Sequence, residues 1–195
     1  MIEDTATEEA RSWVDLLSNA ADRLVAEIQG QRQLMEAETG ELALSLTSAE
    51  TGPLMAGVAR QYATTGVGFG RHLTISAGAE NLHMTTDPAL LSRVLSNLVK
   101  NALEASAPGE TVTLDCRSLG DMVQFTVHNP AVMPAEVRRQ VFQRSFSTKG
   151  VGRGLGTYSV KLLTERYLGG TVAFRSAASE GTTFCVLYPL SPASQ

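Results

Sequence analysis

Two asparagines four residues apart, Asn97 and Asn101, stand in Asn97-Leu98-Val99-Lys100-Asn101-Ala102 beside an otherwise apolar pattern. On a helix that spacing puts both amides on one face. A carboxamide oxygen can ligate a hard cation such as Mg2+ while phosphates and waters complete the octahedron, and Lys100 beside it would meet phosphate oxygens. Taken alone, the pair is more often a hydrogen-bonded amide of a core or an exposed polar pair. Farther along, Val127-His128-Asn129-Pro130-Ala131 offers a side-chain oxygen to the exocyclic amine of a base, though a turn built on Asn-Pro explains it equally well. Then come Phe142-Gln143-Arg144-Ser145-Phe146-Ser147-Thr148-Lys149 and Gly150-Val151-Gly152-Arg153-Gly154-Leu155-Gly156, leading straight into a helical pattern. Closely spaced glycines let backbone N–H groups turn toward an anion, and a helix start adds the positive end of its dipole. Between Arg138 and Arg166 seven bases (Arg138, Arg139, Arg144, Lys149, Arg153, Lys161, Arg166) face one acid, Glu165. A polyphosphate would neutralise and order such a loop; a solvated basic face is the plainer account. The glycines carry no Gly-Lys-Ser/Thr, as a P-loop requires, and they lack the early strand-turn-helix position of a dinucleotide fold.

The elements that must position these residues follow from periodicity. From Glu8 to about Glu38 apolar residues recur at Trp13, Leu16, Leu17, Ala20, Leu24, Ile28 and Met35, one stripe of a long helix whose other face is acidic. A narrow stripe with charged flanks favours packing against another helix, as in a hairpin or coiled coil. Leu42, Leu44 and Leu46 alternate with small residues and predict a short strand, and Pro53 to about Tyr62 predicts a helix. His72–Ile75 and Leu82–Thr85 are strand candidates. Asp87-Pro88 marks a capped helix start, and that helix runs through Leu90, Leu91, Val94, Leu95, Leu98, Val99, Ala102 and Leu103 to a stop at Pro108-Gly109. Thr111–Cys116 and Met122–Val127 predict a hairpin turning at Leu119-Gly120-Asp121. After an irregular stretch, a helix from Leu155 to about Tyr167 ends at Gly169-Gly170, and Thr171–Phe174 and Thr182–Tyr188 supply the last strands. The order indicates α+β, with helices on one face of a largely antiparallel sheet.

The 195 residues, 43% hydrophobic and 18% charged, suffice to bury a core and exclude wholesale disorder. The net charge of -4 hides an asymmetry. Residues 1–41 hold ten acids and three bases, and the remainder holds ten acids and thirteen bases. This divides the chain into a helical part at 1–41 and a domain at 42–195. No apolar run approaches a bilayer span, no secretory signal opens the chain, and nothing points to nucleic acid. Cys116 and Cys185 have neither zinc-site nor disulfide-framework spacing and are expected to be core residues in a reducing cytoplasm.

Taken together, Asn97-Leu98-Val99-Lys100-Asn101-Ala102-Leu103-Glu104-Ala105, the Phe142 to Lys149 segment, Gly152-x-Gly154-Leu155-Gly156 and Gly181-Thr182-Thr183-Phe184 resemble the N, F and two glycine boxes of the Bergerat-fold ATPases. Within that superfamily the match is to the ATP-binding catalytic domain of bacterial sensor histidine kinases, over about residues 42–190. The resemblance implies a two-layer α/β sandwich preceded by the long helix, with ATP and Mg2+ between the asparagine-bearing helix and a lid over residues 143–154. It implies Asn101 as the Mg2+ ligand and Asn97 and Lys100 on the phosphate side. Phe142, Gly152, Gly154, Leu155 and Gly156 would belong to the lid and its helix start, with Lys149 and Arg153 as phosphate contacts. Thr182 would reach the adenine end through water. Asn129 and Ala131 align where the family usually has an adenine-reading aspartate and a glycine, and an amide oxygen is a weaker acceptor than a carboxylate. Glu104 stands where many relatives carry lysine.

Gyrase-like and chaperone-like members place a water-activating glutamate four residues before the Mg2+ asparagine. Here that position is Asn97, which cannot act as a general base, so the resemblance implies ATP held for transfer with slow hydrolysis. In histidine kinases the acceptor is a helical His, usually followed by an acid; His72, His83 and His128 do not fit that pattern. The helix at 8–38 resembles the second helix of the dimerisation hairpin. The expected partners are therefore ATP, an acceptor-histidine helix of the same or another chain, and a response regulator receiver domain. A homodimer in the full protein and a cytoplasmic location complete the expectation. Two alternatives remain at this level: an anti-sigma-type serine kinase, and a degenerate nucleotide-binding or dimerisation module.

Overall fold

A computed structural model describes residues 28–63, 70–144 and 155–191 continuously, together with positions 13, 14, 18, 20, 21 and 25. The chain divides into two units, Met1–Ala43 and Leu44–Gln195. In the first, residues 28–39 form a continuous helix, α1. Arg32 Nε meets Glu36 Oε1 at 2.8 Å one turn on. The helix stops where Gly40 takes a φ of 85°, a left-handed conformation only glycine adopts without cost. The described part of the apolar stripe is open: Trp13 is 64% exposed and Ile28 and Met35 are 66% exposed.

The second unit is a sheet with helices laid on one face. Its strands are β1 (Thr47–Glu50), β2 (His72–Ile75), β3 (His83–Thr86), β4 (Thr111–Leu119), β5 (Met122–Asn129), β6 (Thr171–Ala177) and β7 (Gly181–Pro189). The main sheet has the order β2-β4-β5-β7-β6, antiparallel except for the β2–β4 pair, and β1 pairs with β3 in a separate two-stranded ladder. Period-two alternation buries Val112, Leu114 and Cys116 of β4, Val123, Phe125 and Val127 of β5, and Phe184, Val186 and Tyr188 of β7 on one face.

Against that face lies α3 (Pro88–Ala105), which contacts β4 and β5 and also α2 (Thr51–Ala63) and α5 (Gly156–Leu162). Its eight buried residues are the apolar positions read from the sequence. Truncating one of the leucines to alanine would cost about 2–5 kcal/mol. Asp87 caps α3 by accepting from the backbone N–H groups of Ala89 at 3.0 Å and Leu90 at 3.1 Å, with Pro88 in the first turn.

Three expectations shift. Residues 41–46 form no strand; the strand is Thr47–Glu50. Its partner β3 ends at Thr86 because Asp87-Pro88 starts a helix, and the Asp87 carboxylate takes the Ser45 N–H at 2.8 Å. Leu44 and Leu46 are left without a ladder to join. The irregular stretch after β5 contains a short helix, α4 (Ala135–Arg138). The last helix is α-helical only to Leu162 and continues as a π turn over Leu163–Tyr167, closed by the Leu168 N–H on Leu163 O at 2.9 Å. The buried Tyr188 hydroxyl, 2.8 Å from Thr164 Oγ1, holds that turn to β7. Among the described residues no helix is long and apolar enough to cross a membrane.

Candidate functional site

The apolar stripe of α3 has a polar border. Asn97 and Asn101 stand one turn apart at the edge of the stripe set by Val94, Leu98 and Ala102, facing α5. Asn97 Nδ2 donates to Ser159 Oγ at 2.9 Å, and that hydroxyl donates to Gly156 O at 2.8 Å. Asn101 has another environment. A Cβ built on Gly156 would lie 3.5 Å from Asn101 Nδ2 and 3.7 Å from its Oδ1, so the amide rests against the glycine backbone. Its Nδ2 is buried with no hydrogen-bond partner among the described residues. An unpaired buried donor is costly, so such an atom calls for a partner beyond the described residues.

A second unpartnered amide lies at the end of β5. Alternation places Asn129 on the core face two residues beyond Val127, and it is 3% exposed. Its Nδ2 likewise has no partner among the described residues. The neighbouring backbone is tightly held. Asn129 pairs with Thr182 across β5–β7, and Thr182 Oγ1 donates to Ala131 O at 2.7 Å. Gly181 has a φ of 69°, and a Cβ there would run into Asn129 O and come within 2.8 Å of Pro130. The turn that carries Asn129 and Ala131 therefore fits only against a glycine.

The segment before the glycine run is anchored by rings. Phe142 packs edge-on against Phe174 at 5.9 Å and Phe184 at 6.2 Å between centroids, and Lys161 Nζ sits 5.8 Å from the Phe142 centroid. The Thr157 hydroxyl donates to Val141 O, tying the chain before the segment to the chain after it. Leu155 and Gly156 lead into α5, with Leu155 O accepting the Ser159 N–H at 2.8 Å. Lys149, Gly152, Arg153 and Gly154 lie outside the described residues. Lys100 is half-buried on α3 between the two asparagines.

Two contributors carried no sequence signal of their own. Ser159, 2% exposed, follows Gly156 by three residues, and Ser176 on β6 stands opposite Thr182. Register alone would have found the second, because Gly181 fixes the hairpin. Behind the site, the Tyr62 hydroxyl on α2 donates to Ser96 O at 3.0 Å and holds α2 to α3. Burial, followed by the Glu104 carboxylate, pushes that phenol up to about 12 against a lowering by the Ser96 side chain.

Comparison with known proteins identifies the fold and the family. Residues 86–192 match the family described as Histidine kinase-, DNA gyrase B-, and HSP90-like ATPase. The sensor histidine kinase CusS of Escherichia coli K12 is 37% identical over 111 residues, covering 53% of this chain and 22% of CusS. The sensor protein DivL of Caulobacter vibrioides is 28% identical over 187 residues, covering 95% of this chain and 24% of DivL. Full-length ShkA, solved in complex with AMPPNP, superposes with a TM-score of 0.73 at 23% identity, over 95% of this chain and 40% of that one. The chain thus spans under a quarter of the length of these two curated relatives. With the family match covering more than half of its residues, the chain belongs to the histidine kinase-, DNA gyrase B- and HSP90-like ATPase family.

Proposed function

We propose that this chain is the ATP-binding catalytic part of a bacterial two-component sensor histidine kinase, holding Mg-ATP for phosphoryl transfer to a histidine outside these 195 residues. The observation that carries the reading is the pair of buried amide nitrogens with no partner among the described residues, those of Asn101 on α3 and Asn129 at the end of β5. A nucleotide spanning from the end of β5 to α3 would answer both. Asn129, with Thr182 beside it, faces the base, while Asn101, Lys100 and Asn97 face the phosphates. The Asn101 carboxamide is a suitable oxygen donor for Mg2+, which when bound neutralises charge on the phosphate oxygens. Lys149, Arg153 and the backbone of Gly152, Gly154 and Gly156 complete the phosphate side, and Phe142 and Leu155 bound the segment that carries them.

The chain's own part in the transfer is positioning. Asn97 has no basic group, and its Nδ2 is committed to Ser159, so nothing at that position takes a proton from water. ATP is kept for an acceptor brought to it. His72, His83 and His128 all lie in strands, which favours an acceptor on another helix over one within this domain. The helix ending at residue 39, with Trp13, Ile28 and Met35 open, is read as the second helix of a dimerisation hairpin within residues 1–41. A homodimer, a response regulator as phosphoryl recipient and a cytoplasmic location belong to the same reading.

Calorimetric titration with ATP, with and without Mg2+, tests the binding step. Tight Mg-dependent binding is expected, and a folded chain that binds neither form rejects the reading. Incubation with labelled ATP and a candidate protein carrying an acceptor-histidine helix tests the chemistry. Acid-labile label on that helix is expected; acid-stable label would identify a serine kinase instead.

A further inference from the structure

The helix α5 faces the asparagines of α3, and little apolar burial holds it in place. Of its seven residues only Ser159 and Val160 are buried. Leu155 precedes it as the N-cap without a side-chain bond among the described residues. The far end is fixed: Leu163 and Thr164, in the π turn that follows, are buried, and Thr164 Oγ1 lies 2.8 Å from the Tyr188 hydroxyl. The near end, where Gly156 meets Asn101, depends on polar ties instead.

Two ties reach it from opposite sides. Residues two apart on a helix are turned by about 200°, so Thr157 and Ser159 face away from each other. Ser159 takes the Asn97 N–H at 2.9 Å and binds α5 to α3. Thr157 donates its hydroxyl proton to Val141 O, sixteen residues back in the chain. That carbonyl is a fixed point. Val141 is buried, and the next residue, Phe142, is held edge-on by Phe174 of β6 and Phe184 of β7. Lys161, one turn after Thr157, sits 5.8 Å from the centroid of the same ring. Thr157 therefore joins the first turn of α5 to the β6–β7 side of the sheet.

Gly156 stands between that tie and the asparagine. It adjoins Thr157 in the chain, and a Cβ on it would lie 3.5 Å from Asn101 Nδ2. We infer that Thr157 is a positioning residue for Asn101: by tying the first turn of α5 to Val141, it keeps Gly156 against the Asn101 amide and so holds the orientation in which that amide meets a cation. Thr157 acts through Gly156 and touches neither nucleotide nor cation. This rests on the nucleotide-binding reading above, in which the Asn101 oxygen is the Mg2+ donor.

The test titrates ATP with and without Mg2+ into the full chain, and the ratio of the two affinities isolates the step that needs Asn101. Thr157→Val removes the hydroxyl at nearly constant shape and is expected to shrink that ratio about fivefold, the effect of one net hydrogen bond. Thr157→Ser, which keeps the hydroxyl, is expected to restore it. Thr164→Val breaks the comparable tie at the far end and is expected to lower the melting temperature with the ratio intact. In the nucleotide-free chain, Thr157→Val is expected to speed amide hydrogen exchange in α5 and leave α3 protected. If Thr157→Val does not fold, Thr157→Ala carries the same expectations. Should loss of the hydroxyl weaken ATP equally with and without Mg2+, or Thr164→Val shrink the ratio as much, Thr157 is only a structural tie and the inference falls. A wild-type chain that binds ATP in neither condition overturns the nucleotide reading itself, and this inference with it.

Discussion

Asn97 donates its side-chain N–H to the Ser159 hydroxyl at 2.9 Å, joining α3 to α5 at the turn where the glycine run ends. The same hydroxyl reaches Gly156 O at 2.8 Å, so one serine links the asparagine helix to the backbone of the last glycine. Asn101, one turn farther along α3, rests against that glycine. The pair that looks equivalent in sequence is therefore not equivalent in the fold: Asn97 ties α3 to α5, and Asn101 Nδ2 has no partner among the described residues. Ser159→Ala is expected to lower stability by about 1–2 kcal/mol, since it removes one bond and strands the Asn97 donor. Nucleotide affinity should fall several-fold along with it. Urea unfolding and calorimetric titration of the same variant read both effects, and an unchanged midpoint would refute the tie.

Asn101→Ala should separate folding from binding. The Nδ2 atom is buried without a partner among the described residues, so its removal is expected to change the stability of the nucleotide-free chain by less than about 1 kcal/mol. Mg-dependent ATP affinity is expected to fall about 100-fold or more, beyond what loss of a supporting residue gives. Thermal melts with and without Mg-ATP should show the nucleotide-induced shift disappearing while the ligand-free midpoint stays in place. Retention of that shift would remove Asn101 from the site.

Two glycines with similar backbones offer a matched comparison. Gly120 has a φ of 66° and open space around it, and Gly181 has a φ of 69° with Asn129 O and Pro130 against it. Gly120→Ala is expected to cost only the left-handed penalty, about 1–2 kcal/mol, with nucleotide affinity unchanged. Gly181→Ala carries the same penalty and also displaces the Asn129–Pro130 backbone, so it should cost more and weaken ATP binding. Equal effects of the two substitutions on affinity would show that the turn at Gly181 does not position Asn129.

What the sequence made legible follows from how local each signal is. The α3 core, the Asp87 cap and the β4–β5 hairpin rest on period and on turn chemistry within a few residues, and each stands where the pattern puts it. The strand expected at Leu42–Leu46 depended on a partner, and the partner was removed by Pro88, more than forty residues away. The π turn at Leu163–Tyr167 is likewise imposed from a distance, through Thr164 and Tyr188. In the site, Asn97 and Asn101 were found by spacing. Ser159 and Ser176 escaped because a lone serine has no period: the first is placed only when α5 meets α3, and the second by the β6–β7 register.

Tyrosine ionisation gives an alkaline test of the helix arrangement. Of the four tyrosines, Tyr62 and Tyr188 are buried, and each has its phenol pushed up, first by that burial. For Tyr62 the folded value is about 12, above the ordinary 10.0. A phenol is neutral when protonated, so above its ordinary value the folded chain keeps a proton that the unfolded chain releases. The stabilisation is complete below that value and is lost as pH rises toward the folded one, at about 1.4 kcal/mol per pH unit for each such tyrosine. Unfolding midpoints in urea at about pH 9 and about pH 11 should therefore differ strongly in the wild-type chain. Tyr62→Phe should reduce that difference by one tyrosine's share while costing about 1 kcal/mol at the lower pH for the lost bond to Ser96 O. Phenolate absorbance, followed through the same range, should show the buried pair ionising late and together with unfolding. If Tyr62→Phe leaves the pH slope unchanged, the phenol is not sealed between α2 and α3, and the packing that fixes the back of the asparagine helix is looser than the structure has it.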